Sequence, residues 1–294
     1  MNAEQAVRDV IEGFVVASPL NRLQRIDGSP IFDAPLVGVA DGADPLFQQY
    51  QQIIGPFHLI PLELLQHAVA EGLTAVHNDQ APLRVICWVL PISGTTRKSN
   101  RRETVGPSER WHHTKAYGEE FNDALRSYVV SWLTGQGYLA VAPLLSAIYF
   151  LRKRSMSLTS PWSERHALYA AGLGTFSLSD GFITPKGIAM RCGSVITNLP
   201  LPVTPRLYET HTANCLHYNQ GTCGECIARC PAGAISAAGH DKAKCFHYLD
   251  VTLKPVRTRY NVDTITCGLC QTGVPCEACI PQRSSSPKLT PPGG

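Results

Sequence analysis

The chain has 294 residues, 44% of them hydrophobic, and a net charge of +3 at pH 7. That length and apolar content suit one large domain with a proper core and a small one appended. So mild a charge gives no electrostatic case for nucleic acid or membrane by itself. The most apolar stretch, Leu139–Leu151, is broken by Pro143 and too short to span a bilayer.

In chain order, Val7, Val10, Ile11, Phe14 and Val15 fall at helical spacing and predict an amphipathic helix over residues 4–17. Pro35–Ala40, Leu83–Leu90 and Tyr138–Ala142 are short, apolar, β-branched-rich runs and read as buried strands. Between the last two, Phe121, Leu125, Tyr128, Val129 and Trp132 stripe a helix that ends near Gly135. Strands alternating with helices predict an α/β domain with a mostly parallel sheet covered on both faces. Ser160 as N-cap and Pro161 at the first helical position predict a further helix. Gly172 and Gly174 end it and leave room for close backbone approach to a ligand. A hairpin around Phe182–Met190 and a strand through Ser194–Thr197 complete the domain, and the proline-bearing segment Thr197–Thr212 links it to a second, cysteine-rich domain. Two basic stretches, Arg97–Arg110 and Arg152–Arg154, read as solvated loops, with contact to an anionic substrate or nucleic acid as the functional alternative. The expected domains are 1–205 and 206–282, followed by a disordered tail, 283–294, rich in Ser, Pro and Gly.

Cysteine carries the chemistry. The chain has eleven, nine of them within Cys215–Cys279. Cys223-x2-Cys226-x3-Cys230-Pro231 matches the second half of the bacterial ferredoxin run, in which the cysteine before proline ligates the other cluster of a pair. Cys267-x2-Cys270-x5-Cys276-x2-Cys279 comes later, with Cys245 between. Paired Cys-x2-Cys units also make zinc ribbons, but the x3-Cys-Pro step has no zinc rationale. A disulfide framework belongs to smaller secreted domains. The expectation is two [4Fe–4S] clusters passing single electrons. The crossing rule places Cys215, Cys223, Cys226 and Cys276 on one, and Cys230, Cys245, Cys267 and Cys270 on the other. Cys276 is preferred over Cys279 because it lies nearer the usual spacing. Cys87 and Cys192 lie in predicted strands and read as small buried apolar side chains. The chain opens with neither a twin arginine nor an apolar h-region, and its many thiols require a reducing compartment, so a cytoplasmic location is expected.

The series Glu164-Arg165, Ala171-Gly-Leu-Gly174, Gly193 and Thr197-Asn-Leu-Pro-Leu201, then the Cys-x2-Cys-x3-Cys-Pro run and Cys245-x2-Tyr248-Leu249, resembles the epoxyqueuosine reductase family. It is more distantly similar to reductive dehalogenases. The resemblance implies a nitroreductase-like, corrinoid-binding sheet domain followed by a two-cluster ferredoxin-like domain. It also implies an oxidoreductase in which a low-potential ferredoxin or flavodoxin feeds the clusters and electrons pass through base-off cobalamin to a substrate. Gly172, Gly174, Gly193, Ser194 and Thr197 become candidates for seating the cofactor. Tyr149, Ser157 and Glu164 become candidate catalytic residues, with His166 and Tyr169 in the same segment. The family places an Asp proton donor seven residues before the Glu of Glu-Arg; Leu158 stands there, and a leucine donates no proton. The family's Gly-Lys-Asn is replaced by Ser177-Leu178-Ser179. The expected substrate is therefore one other than epoxyqueuosine in tRNA. The alternatives are a tRNA epoxyqueuosine reductase with a different donor, and a non-catalytic electron carrier docking a redox enzyme.

Overall fold

The computed structural model describes residues 2–73, 81–154, 156 and 158–282. The first helix, α1 (Ala3–Ala17), starts where the Asn2 side chain accepts a hydrogen bond from Gln5 N at 2.8 Å, and it buries Val7, Ile11 and Val15. Strand β1 (Leu36–Asp41), helices α2 (Leu46–Ile53) and α3 (Pro61–Ala70), and strand β2 (Arg84–Pro91) come next. They are succeeded by α4 (Gly94–Arg101), the 27-residue α5 (Glu109–Gly135), β3 (Ala140–Val141), α6 (Ala147–Lys153) and α7 (Glu164–Ala170). Two short strands, β4 (Thr175–Phe176) and β5 (Phe182–Ile183), pair with each other before β6 (Met190–Thr197) returns to the main sheet.

That sheet has the order β1-β2-β6-β3, and every neighbouring pair is antiparallel. The mostly parallel sheet expected from the alternation of strands and helices does not form. Alternation and unbroken apolar runs report that both faces are covered, and they carry no information about direction. Coverage is as expected. Ile86, Trp88 and Leu90 of β2 face a layer that includes Val7 and Ile11 of α1 and Phe121, Leu125 and Val129 of α5. Val85, Cys87 and Val89 point the other way, toward Phe47 and Tyr50 of α2, Leu64 and Leu65 of α3 and Leu168 of α7. The period of two along β2 thus divides one strand between two cores.

Three local expectations shift. Tyr128 lies outside the buried stripe of α5 and is exposed. The hairpin expected around Phe182–Met190 is the β4–β5 pair instead, with a tight bridge between Thr184 and Gly187. The helix expected from Ser160 begins at Glu164. Ser160 Oγ turns to Trp162 O at 2.7 Å and Pro161 O accepts from Leu59 N at 2.7 Å, so the local turn bonds elsewhere. The other end of α7 is a Schellman close: Gly172 has φ +68°, Gly172 N reaches Tyr169 O at 3.1 Å and Leu173 N reaches Leu168 O at 3.0 Å.

The segment after β6 is pinned along edge strand β1. Thr204 N donates to Val39 O and Val39 N to Thr204 Oγ1, both at 2.9 Å. Arg206 pairs with Asp44 at 3.0 Å. An otherwise open sheet edge is thereby covered. Beyond it the cysteine-rich region folds as short pieces: α8 (Leu216–Gln220), α9 (Glu225–Ala228), the β7–β8 ribbon (Ile235–Ser236 and Gly239–His240), α10 (Lys242–His247) and α11 (Lys254–Arg259). The expected tail, 283–294, lies outside the described residues.

Candidate metal centre

The Cys226 thiol is raised by burial and by the charges of Cys215 and Cys223, and that of Cys276 by burial and by Cys215, Cys226 and Cys223. Cys267 feels Cys245 and Cys230; Cys270 feels Cys267, Cys245 and Cys230, and Cys226 last. One cavity is lined by five cysteines, Cys215, Cys223, Cys226, Cys270 and Cys276. Its apolar wall includes Ile183 and Ile188, which join Leu178 in a buried cluster with Cys215. Cys279 is exposed and belongs to neither group.

Burial pushes the Cys276 thiol up to about 12 and those of Cys226 and Cys267 up to about 11, the neighbouring thiols adding to the effect. Cys270 is raised further by the same causes. Without iron these groups are protonated at neutral pH, so loading a metal releases protons. Among the described residues, no three or more His, Cys, Asp or Glu side chains converge closely enough for a single metal ion. Five cysteines around one apolar cavity are a donor set that suits an iron–sulfur cluster.

The sheet domain holds these loops by contacts that no spacing reveals. Ile188 N donates to Cys276 O at 2.8 Å just before β6 begins. Arg101 of α4 pairs with buried Glu277 at 2.6 Å, and Glu277 also accepts from Gly273 N at 2.7 Å. Arg229, between Cys226 and Cys230, donates to Thr272 O and Glu103 O, each at 2.9 Å. Asn100 reaches Thr272 Oγ1 at 3.1 Å. Gly268, at φ +70°, lies against the Trp111 indole, and a Cβ there collides with the ring. The Cys267–Cys270 turn therefore requires glycine at that position. The first basic stretch is largely consumed internally: Arg97 faces Asp33 at 3.9 Å, Arg101 faces Glu277, and Arg110 pairs with Asp27 at 2.6 Å. In the second, Arg152 pairs with Glu63.

The residues singled out for a corrin have their space filled by protein. A Cβ on Gly172 meets Pro205 O, one on Gly174 meets Ile183 O, and one on Gly193 meets the Trp88 indole. Ser194 is buried, donating to Glu164 Oε2 at 2.5 Å and accepting from Trp162 Nε1 at 3.1 Å. Thr197 Oγ1 accepts from Leu199 N at 3.1 Å. A side chain at any of the three glycines would meet protein, and Ser194 and Thr197 are buried.

Of the candidate catalytic residues, Tyr149 contacts Ser160 Oγ at 3.4 Å and stacks edge-on with Phe150. Ser157 lies outside the described residues. Glu164 is a buried ion-pair member: Arg126 Nη2 reaches it at 3.1 Å, and Trp162 Nε1 and Ser194 Oγ complete its shell. Burial raises its carboxyl above the usual range, opposed by Arg126 and the Ser194 and Trp162 hydrogen bonds. Leu158 is 40% exposed. His166 bonds Ser163 Oγ at 2.7 Å, and Tyr169 carries the Arg206 guanidinium over its ring.

A buried histidine has a consequence for pH. His58 is 1% exposed, stacks on Trp162 and accepts from Ser163 N at 3.2 Å. Burial lowers its pKa from 6.5 to about 4. The unfolded chain takes up this proton first, so the stability His58 contributes is full above pH 6.5 and lost as pH falls toward 4. At 1.36 kcal/mol per pH unit, that is about 3 kcal/mol. Half-buried His166, lowered to about 3 chiefly by desolvation, acts in the same direction. Urea melts of wild type should weaken steeply from pH 7 to pH 4.5, and His58→Gln should flatten the slope. An unchanged slope in that variant refutes the assignment.

No protein-family model matches the chain. It is an α/β protein carrying a cysteine-rich region. Its sequence is similar to the epoxyqueuosine reductase of Bacillus anthracis, 29% identical over 140 residues, covering 46% of this chain and 34% of that protein. The match thus spans about a third of the curated relative's length. Among solved structures, epoxyqueuosine reductase from Bacillus subtilis aligns at 18% identity and a TM-score of 0.46, covering 94% of this chain and 66% of the other. A selenomethionine-labelled epoxyqueuosine reductase aligns at 18% and 0.47 with the same coverage. Among the described residues no helix is long and apolar enough to cross a membrane.

Proposed function

We propose that the chain is an iron–sulfur reductase holding two [4Fe–4S] clusters, in a ferredoxin-like region over 206–282 appended to the sheet domain over 1–205. The observation that supports this reading is the Cys223-x2-Cys226-x3-Cys230-Pro231 run, with Cys215, Cys223, Cys226, Cys270 and Cys276 brought to the wall of one cavity. Bound there, each cluster supplies one electron at a time. The Cys245 quartet draws on α10, whose Lys242, Lys244 and Phe246 are exposed, so this side faces a low-potential ferredoxin or flavodoxin. Cys215, Cys226 and Cys276 pack with Ile183 and Ile188, and so do Cys230 and Cys270, so this apolar wall screens the cysteines from water on that side. Anaerobically reconstituted protein should contain about eight iron and eight sulfide per chain and give cubane EPR signals on reduction. About four iron, or stoichiometric zinc, overturns the proposal.

The sequence likeness to the Bacillus anthracis enzyme favours a second reading, reduction of epoxyqueuosine in tRNA with cobalamin as the last carrier. Leu158 at the acid position and the filled surroundings of Gly172, Gly174 and Gly193 oppose it, and no step proposed above runs through a corrin. Turnover of epoxyqueuosine tRNA by the loaded wild-type protein decides for this second reading, and its absence decides against it.

A further inference from the structure

We propose that Lys115, Arg165 and Arg191 form a binding site for a phosphate oxyanion where α5, α7 and the start of β6 meet. Lys115, Glu119, Asn122 and Arg126 recur at spacings of four, three and four, which puts them on one face of α5. That face lies on β6: Asn122 Nδ2 donates to Cys192 O at 2.8 Å and Arg126 Nη2 to the same oxygen at 3.1 Å. Arg191 is the next residue back along the strand. Arg165 follows Glu164, whose carboxylate Arg126 holds, and it opens the group to solvent.

The charges at this junction do not balance. Arg126 takes all three carboxylates present, Glu119 at 3.0 Å, Asp123 at 2.6 Å and Glu164 at 3.1 Å. Lys115, Arg165 and Arg191 make no ion pair or side-chain hydrogen bond with the described residues, and Arg191 Nε is shut off from water without a partner. Lys115 and Arg191 are themselves half-buried. An unpaired cation withdrawn from water is costly, and two like charges side by side more so. The effect shows on Lys115, whose ammonium is held down to about 8, chiefly by the Arg191 charge and then by burial, against the opposing pull of Glu119. Two guanidinium forks and an ammonium from three separate elements suit an oxyanion with several acceptor oxygens. A phosphodiester of RNA and a free phosphate or nucleotide share that chemistry.

The test is thermal melting of anaerobic, cluster-loaded protein in inorganic phosphate against chloride at matched ionic strength. Phosphate should raise the wild-type midpoint saturably, as any ligand of the native state does. Lys115→Met and Arg191→Met should melt at or above the wild-type temperature in chloride, and their phosphate affinity should fall about ten- to a hundredfold. Arg165→Glu, at an exposed position, keeps the fold and should abolish the response by adding a competing carboxylate. Competition by a dinucleoside monophosphate but not by AMP assigns the RNA backbone. Competition by AMP assigns a nucleotide, and competition by neither assigns free phosphate. No wild-type response, or a response retained in Arg165→Glu and Lys115→Met, overturns the site. The site rests on charge and not on the redox reading, and iron content measured on each variant keeps the two failures apart.

Discussion

Replacing Cys276 with alanine should halve the iron bound per chain, from about eight to about four, whereas Cys279→Ala should leave it unchanged. The two lie three residues apart, and spacing alone gives only a weak preference between them. Geometry separates them. Cys276 lines the cavity with Cys215, Cys223 and Cys226, and its carbonyl is held by Ile188 N, which fixes the direction of the loop. Cys279 is exposed and lines no part of that cavity. The crossing adds a sharper form of the same prediction. Cys230→Ala should remove the same EPR signal as Cys245→Ala, although Cys230 is only four residues from Cys226. If Cys279 proves essential and Cys276 dispensable, or if Cys230 and Cys226 affect the same signal, the division into quartets is wrong.

The cysteine pattern stands out in the sequence because cluster ligation is local and positional: a turn of fixed length must present each sulfur, and in the ferredoxin run the x3-Cys-Pro step marks a crossing. Amphipathic α1 and the two-sided strand β2 were legible for a similar reason, since burial imposes a period on the side chains. Strand direction was not, because an antiparallel and a parallel sheet covered on both faces bury the same residues. Nor did Ser160-Pro161 report a helix start. Its cap signal is real, but Leu59 N, from a hundred residues away, takes the Pro161 carbonyl and delays the helix to Glu164. The glycines of the Ala-Gly-Leu-Gly turn suggested a ligand, and glycine does permit close approach. What approaches is this chain's own backbone at Pro205 and Ile183. Arg229 and Glu277 sit among the cysteines and hold their loops, yet as single charged residues at unremarkable spacing they carry no sign of their partners. Arg126 is the extreme case, because the helix around it is full of charge and looks solvated.

Arg126→Met should therefore destabilise the protein by about 3–5 kcal/mol while leaving the iron content unchanged. The guanidinium is 1% exposed and the Glu164 side chain 10%, so deleting the cation strands a carboxylate in the layer between α5 and β6. Ser194 Oγ and Trp162 Nε1 still donate to Glu164, but two neutral donors do not replace a charge. Part of the loss is also the Cys192 carbonyl, which gives up one of its two donors. A lysine should restore little, because one ammonium cannot reach Glu119, Asp123, Glu164 and Cys192 O together as the fork does. The double variant Arg126→Met, Glu164→Gln separates pairing from packing. With the carboxylate gone, the methionine fills the same slot and most of the lost stability should return, since a buried ion pair is worth little against an apolar replacement. Urea melts of wild type, the two single variants and the double give the coupling directly. Single-variant losses below about 1 kcal/mol, or a double variant as weak as Arg126→Met alone, show that Glu164 does not depend on Arg126. In that event its carboxylate returns as a candidate for proton transfer.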